Sequence, residues 1–300
     1  MFKHMLVPLD GSTLAEAALP AAAYLARQTG ASTTLIHLIE QHPPDAVHGE
    51  RHLTTTDDAL GYLNDVSTRF FSPDYPVESH VHTNRVSDVP VSIADHAQEL
   101  GSDLIVMCVH GRSGIHRWLA GSIAQQVIKH GVASILLIQP ASSGEVPPFT
   151  CDRLLVALDG NPEHEKGLEL AIELAAACSA DLHLLTVVPT LGTLPEERAE
   201  TGKLLPGAMS ALLEMSEEDA QRYLDEQEER AAAGGVAATS AVGRGDPSDV
   251  IVQVGASVQA DIIVLGTHGR AGMDAFWSGS VAPKVAGKSR SPLLLVKANG

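Results

Sequence analysis

The chain is written twice, and that duplication limits its fold more than any other feature. LVPLDGS at residues 6–12 returns as LVALDGN at 155–161. DLIVMCVHGRSGIHRWLAGSIA at 103–124 aligns without a gap to DIIVLGTHGRAGMDAFWSGSVA at 261–282, and SILLIQP at 134–140 to SPLLLVK at 291–297. Three matches in one order mean a duplicated module, the second copy with a longer middle. At roughly 100–200 residues per domain, 300 residues suit two domains. The expected boundaries are 1–140, a small, polar, Pro-containing linker at 141–150, and 151–300.

Within each copy, short apolar runs alternate with helical segments. In the first, Leu6–Leu9, Thr34–Ile39, Val77–His82, Leu104–Val109 and Ile135–Ile138 read as strands. Thr13–Gln28, with a kink at Pro20, Ser92–Leu100 and Ile123–His130 read as helices. In the second copy, Asn161 is placed to cap a helix with Pro162 at its first position. Hydrophobic residues are 44% of the chain and aromatics only 4%, so both cores must be aliphatic. Unbroken aliphatic strands between helices predict an α/β fold: two tandem doubly wound, Rossmann-like domains with parallel sheets. The fifth strands, exposed as apolar edges, are expected to pair with each other.

Charge and cysteines narrow the setting. The formal net charge is -17, spread over both halves, with no Lys/Arg run. Binding to phosphate backbones depends on clustered cations, so no nucleic acid or membrane partner is expected. No segment has the roughly 20 apolar residues of a spanning helix. Three scattered cysteines, Cys108, Cys151 and Cys178, predict a reducing cytoplasm, not a disulfide framework.

In a doubly wound sheet, ligands bind beyond the carboxyl ends of the strands, where strand order reverses. Both copies place Gly, Ser and Asp there. In the second, Gly266-Thr-His268-Gly269, then Gly272, then Gly279-Ser280 offer close backbone approach and a helix N-terminus suited to phosphate. The spacing Gly-x2-Gly-x9-Gly-Ser, together with an opening strand that ends Leu-Asp-Gly-Ser, resembles the ATP-binding universal stress proteins, once per half. The resemblance implies a sheet order 3-2-1-4-5 and an acidic residue facing adenine, with a strand-two residue packed on the ring. It also implies glycines around ribose and phosphates. Carried over, these are Asp159, Val187, Gly266, Gly269, Gly279 and Ser280, and in the first half Asp10, Leu38, Gly111, Gly121 and Ser122. The implied function is ATP-binding regulation in a stress response. Mg2+ is expected with the ligand, and a homodimer as the assembly. The second half is expected to bind better, because Cys108 stands where the second half has Gly266.

An enzyme is not expected. Related adenylating enzymes carry a Ser-Gly-Gly-x-Asp-Ser loop after strand one, and that position reads Asp10-Gly-Ser-Thr13 and Asp159-Gly-Asn-Pro162. The alternatives are an ATP-hydrolysing or adenylating enzyme on the same fold, with hydrolysis at most slow, and a structural dimerisation module with vestigial sites. Eleven of 14 histidines lie in the first half. His42, His48 and His52 (with Asp45) crowd the loop after strand two, and His80 and His82 alternate on strand three. Their spacings match no strong zinc motif, and they read as solvated. Gly243-Arg244-Gly245 reads as a turn with a helix cap, Glu214–Arg230 as a solvated helix face, and residues 190–210 as a flap beside the site.

Overall fold

The structure is a computed structural model and describes residues 1–44, 46–47, 49–109, 123–140, 148–161, 165–194, 204–267 and 281–297. The chain divides into two compact units. Among the described residues, one is built on Met1–Thr150 with Pro292–Lys297, and the other on 151–267 with 281–291.

In the first unit, β1 (His4–Pro8), β2 (Ser32–Glu40), β5 (Val77–Val86), β6 (Leu104–Cys108) and β7 (Ser134–Ile138) form a parallel sheet. Its order is β7-β6-β1-β2-β5, the expected 3-2-1-4-5 of a doubly wound module. A two-stranded hairpin, β3 (Ala46–Val47) and β4 (Glu50–Arg51), is inserted after β2. The helices are α1 (Leu19–Thr29), α2 (Thr56–Phe70), α3 (Val89–Glu99) and α4 (Ile123–His130). The central strands are apolar without interruption because both faces are covered. All five residues of β6 and of β7 are buried. β12 (Leu293–Lys297) also belongs to this unit and runs antiparallel to β7, with Leu294 opposite Leu136. The two fifth strands therefore pair, as their apolar edges require.

In the second unit, β8 (Arg153–Leu158), β9 (Asp181–Val188), β10 (Ala238–Arg244) and β11 (Ile262–Thr267) are all parallel, and the order β10-β9-β8-β11 gives the same 3-2-1-4 succession. Its helices are α5 (Lys166–Cys178), α6 (Pro206–Ala233), α7 (Pro247–Ser257) and α8 (Val281–Lys288). Gly167 lets α5 lie close on β11: a Cβ there would stand 3.2 Å from the Gly266 nitrogen.

Two local expectations are corrected. Pro20 does not kink a helix. A single 3-10 turn, Ala15–Ala18, precedes α1, and Pro20 lies in the first turn of α1, where its missing N–H costs nothing. Asn161 is not the cap of α5, which begins at Lys166 without a side-chain cap; Pro162 lies outside the described residues. The Asn161 N–H instead donates to Asp159 Oδ1.

Candidate functional site

The loop after strand one turns the same way in both units. In the first, Asp10 Oδ1 accepts from the Ser12 N–H at 2.9 Å and the Ser12 hydroxyl at 2.6 Å. In the second, Asp159 Oδ1 accepts from the Asn161 N–H at 3.0 Å. Between each pair stands a glycine with positive φ, Gly11 at +89° and Gly160 at +74°, the left-handed backbone that glycine tolerates. These carboxylates are held by local geometry at the carboxyl end of the first strand.

A network that repeats with the module underlies each loop. Arg69 on α2 donates to both carboxylate oxygens of Glu16, each at 3.0 Å. Arg230 on α6 donates to Glu165 at 2.6 Å. Glu165 is the counterpart of Glu16 in the strand-one alignment, and Arg230 that of Arg69 in the register of the third strands. A tyrosine accompanies each pair. Burial, then the charges of Glu16 and Asp10, raise the Tyr62 pKa. Burial, then Glu165 and Asp159, push Tyr223 up to about 12. Asp, Glu, Tyr and Arg thus recur as a set, tying the loop after strand one to the helix before strand three.

Above this shared base the first unit encloses a cavity of about 390 Å3. It opens where β1, β2 and β6 end, and its lining includes Asp10, Ile36, Leu38, Glu40, His52, Ile93, Met107 and Cys108. The volume lies within the roughly 300–1,000 Å3 of small-molecule sites, and the mix of aliphatic walls with a few polar groups is usual for them. Pro44 and His52, from the segment after β2, also line the cavity. The Thr13 N–H donates to Glu50 at 3.0 Å, and the His37 ring nitrogens lie 2.8 Å from the Leu9 carbonyl and 3.1 Å from the Leu53 carbonyl. Leu53 sits over Gly11, so close that a Cβ there would meet it at 2.8 Å.

His52 corrects the sequence reading most directly. It is not solvated but 3% exposed, and both ring nitrogens are buried with no hydrogen-bond partner among the described residues. The Glu40 carboxylate stands 3.6 Å from it. Burial lowers its pKa, outweighing the Glu40 charge, so the ring faces the cavity neutral. Unpartnered buried polar atoms are uncommon and costly. Here they line a cavity that a ligand could satisfy.

Of the residues singled out from the sequence, the structure brings Asp10 and Leu38 together on this cavity. Asp159, Val187 and Gly266 take the matching positions in the second unit, where Asp159 is exposed and Val187 half-buried. His268, Gly269, Gly272, Gly279, Ser280, Gly111, Gly121 and Ser122 lie outside the described residues, as do His48, Asp45 and residues 195–203 of the expected flap. The far end of that segment, from Pro206, is the start of α6. Cys108 lines the cavity without filling it, and burial pushes its thiol up to about 12, which leaves it unreactive. All three cysteines are buried, and none is in a disulfide. Gly243-Arg244-Gly245 closes β10, and Asp246 caps α7 through the Ser248 and Asp249 N–H groups, a turn and cap as expected. Among the described residues no helix is long and apolar enough to cross a membrane.

The architecture and the position of the cavity define a tandem α/β protein of the doubly wound class. The model of the universal stress protein family matches residues 1–139 and again 150–297, and the chain belongs to that family. It is 27% identical to universal stress protein Rv2623 of Mycobacterium tuberculosis over 310 residues, covering 98% of this chain and 96% of that protein. A universal stress protein of Mycolicibacterium smegmatis is 24% identical over 321 residues, with 98% and 96% covered. The crystal structure of a universal stress protein from Archaeoglobus fulgidus shares the fold, with a TM-score of 0.67 at 17% identity, 99% of this chain and 96% of that one being covered.

Proposed function

We propose that the chain is a regulatory adenine-nucleotide-binding protein, and that the first unit's cavity seats the base. The observation that carries this reading is the cavity itself. Asp10 and Leu38, the two described first-half residues matched to the family's adenine-binding positions, both line it, and the unpartnered nitrogens of His52 lie beside them. The Asp10 carboxylate can accept from an exocyclic amine. Leu38, Ile36 and Met107 can pack on an aromatic plane, and His52 can bond a ring nitrogen or a ribose hydroxyl. The Gly-x9-Gly-Ser segment that follows β6 in sequence supplies the residue types for phosphate. The Cys108 ground for ranking this half second is weakened, because the sulfur forms part of the wall and leaves the space open.

The proposed role is binding rather than turnover. The ligand is expected as Mg-ATP, since a chain of net charge -17 disfavours a bare triphosphate. A cytoplasmic homodimer is the expected assembly. Mass spectrometry of nucleotide released from protein purified without added ligand tests the reading. Bound ATP or ADP is the expected result. Absence of nucleotide, together with no calorimetric signal for Mg-ATP up to millimolar concentrations, would sink it.

A further inference from the structure

Three histidines of the first unit converge away from the cavity. His80 and His82 alternate on β5 and so share one face of the sheet. His96 lies on α3, which packs there. One ring nitrogen from each falls within 4.8 Å of the others, and the rings of His82 and His96 stand edge to face with centroids 4.7 Å apart. We propose that His80, His82 and His96 form a binding site for a divalent transition metal of the zinc class.

The hydrogen bonds favour coordination. His96 Nδ1 lies 2.7 Å from the Ser92 carbonyl, which can only accept, so Nδ1 carries the proton and Nε2 presents a lone pair to the cluster. A backbone carbonyl holding the far nitrogen is the usual support of a metal-bound imidazole. His82 Nδ1 donates to His96 Nε2 at 3.1 Å in the metal-free protein. On binding, its proton moves to Nε2 through solvent and the metal takes its place between the rings. His80 Nε2 is buried without a hydrogen-bond partner among the described residues, a lone nitrogen that a metal would satisfy. Ligands about 2.0–2.1 Å from a tetrahedral zinc sit about 3.3 Å apart. The cluster therefore needs only a modest contraction. Three imidazoles leave a fourth position for water, and the adjoining surface, which includes Asp95 and Glu99, is open enough for an incoming ligand.

The second unit supplies an internal control. Ile36 lies opposite His80 and Leu38 opposite His82, while their counterparts Leu185 and Val187 lie opposite Ala241 and Gly243. His96 stands eight residues past the cap Asp88, and the residue eight past the cap Asp246 is Val254. None of the three can ligate, so the shared fold does not require histidine there.

The test titrates Zn2+ into the full untagged chain, stripped of metal, against a chromophoric chelator, with Co2+ as the spectroscopic probe. The expected result is one Zn2+ equivalent and the intense visible absorption of four-coordinate Co2+. His80→Asn and His82→Ala should each weaken Zn2+ by about tenfold or more, and His42→Ala, on an exposed residue, should not. Zn2+ should raise the melting temperature of the wild type and of His42→Ala but not of the double variant that carries both His80→Asn and His82→Ala, a readout that also reports whether the variant is folded. No Zn2+ bound by the wild type, or equal binding and unchanged Co2+ absorption in the folded double variant, would overturn the assignment.

Discussion

The two units use one framework to build two different crevices. Both hold an acidic residue in a tight turn after the first strand, and both anchor that turn through a glutamate–arginine pair and a tyrosine. They differ in what lies above. In the first unit, Glu50 accepts from the Thr13 N–H, the His37 ring nitrogens lie within 3.1 Å of the Leu9 and Leu53 carbonyls, and Leu53 covers Gly11. In the second, the counterpart of His37 is Thr186; among the described residues its buried hydroxyl has no hydrogen-bond partner, and a Cβ on Gly160 would meet nothing within 4 Å. Leu38 is buried where Val187 is half-exposed. Among the described residues, duplication has kept the base that orients the carboxylate, and what distinguishes the two turns comes from the end of strand two and the segment that follows it.

If the base is shared but unequally buried, removing its cation should cost unequally. The Glu16 side chain is only 10% exposed, against 24% for Glu165. Arg69→Met strands a largely buried carboxylate and is expected to cost about 2–3 kcal/mol in urea unfolding. Arg230→Met should cost about 1 kcal/mol or less. Equal costs would show that the two pairs are equivalent.

The difference can be probed at the glycines. Gly11→Ala adds a left-handed strain of about 1–2 kcal/mol to a forced displacement of Leu53, and should also lower nucleotide affinity by reshaping the cavity. Gly160→Ala carries the strain alone and should be the milder by about 1 kcal/mol or more. A milder Gly11→Ala would mean that Leu53 is not seated as described.

The smallest effect is on pH dependence. Burial holds His52 in the first unit and His183 in the second below their ordinary pKa. The unfolded chain protonates these rings first, near pH 6.5. Stability should therefore be full above that pH and fall as pH drops from there through the lower folded values. Glu40 and Asp10 oppose the shift at His52 and His37 reinforces it, while Arg153 reinforces that at His183 and Glu228 opposes it. His52→Gln should flatten part of that slope in a series of melts between pH 7.5 and 5. An unchanged slope would indicate that His52 stays solvated.

Much of this was legible in the sequence. Apolar runs and the gapless repeat around the fourth strand carried the fold, because buried parallel strands must be continuously aliphatic, while the sheet order came through the resemblance to the family. Asp10 and Leu38 were reached through the family's motif. The Glu16–Arg69 and Glu165–Arg230 pairs were not, since their partners stand 53 and 65 residues apart and meet only when a helix docks on the strand-one loop. His52 looked solvated because a polar loop gives no sign that it will line a cavity. His80 and His82 showed their alternation, but His96 lies on another element, and nothing in linear spacing joins it to them.

The central claim is that the first unit's cavity seats the nucleotide, and calorimetry on two matched variants tests it most directly. Leu38→Trp fills the cavity, and Val187→Trp places the same bulk at the matching position of the second unit. Overpacking a defined site typically costs about 1–3 kcal/mol, roughly 5- to 150-fold in affinity. The expected result is a loss of that size in Mg-ATP affinity for Leu38→Trp, with Val187→Trp close to the wild type and both variants melting normally. Undiminished binding in Leu38→Trp, with the loss falling on Val187→Trp, would contradict the account and move the site to the second unit.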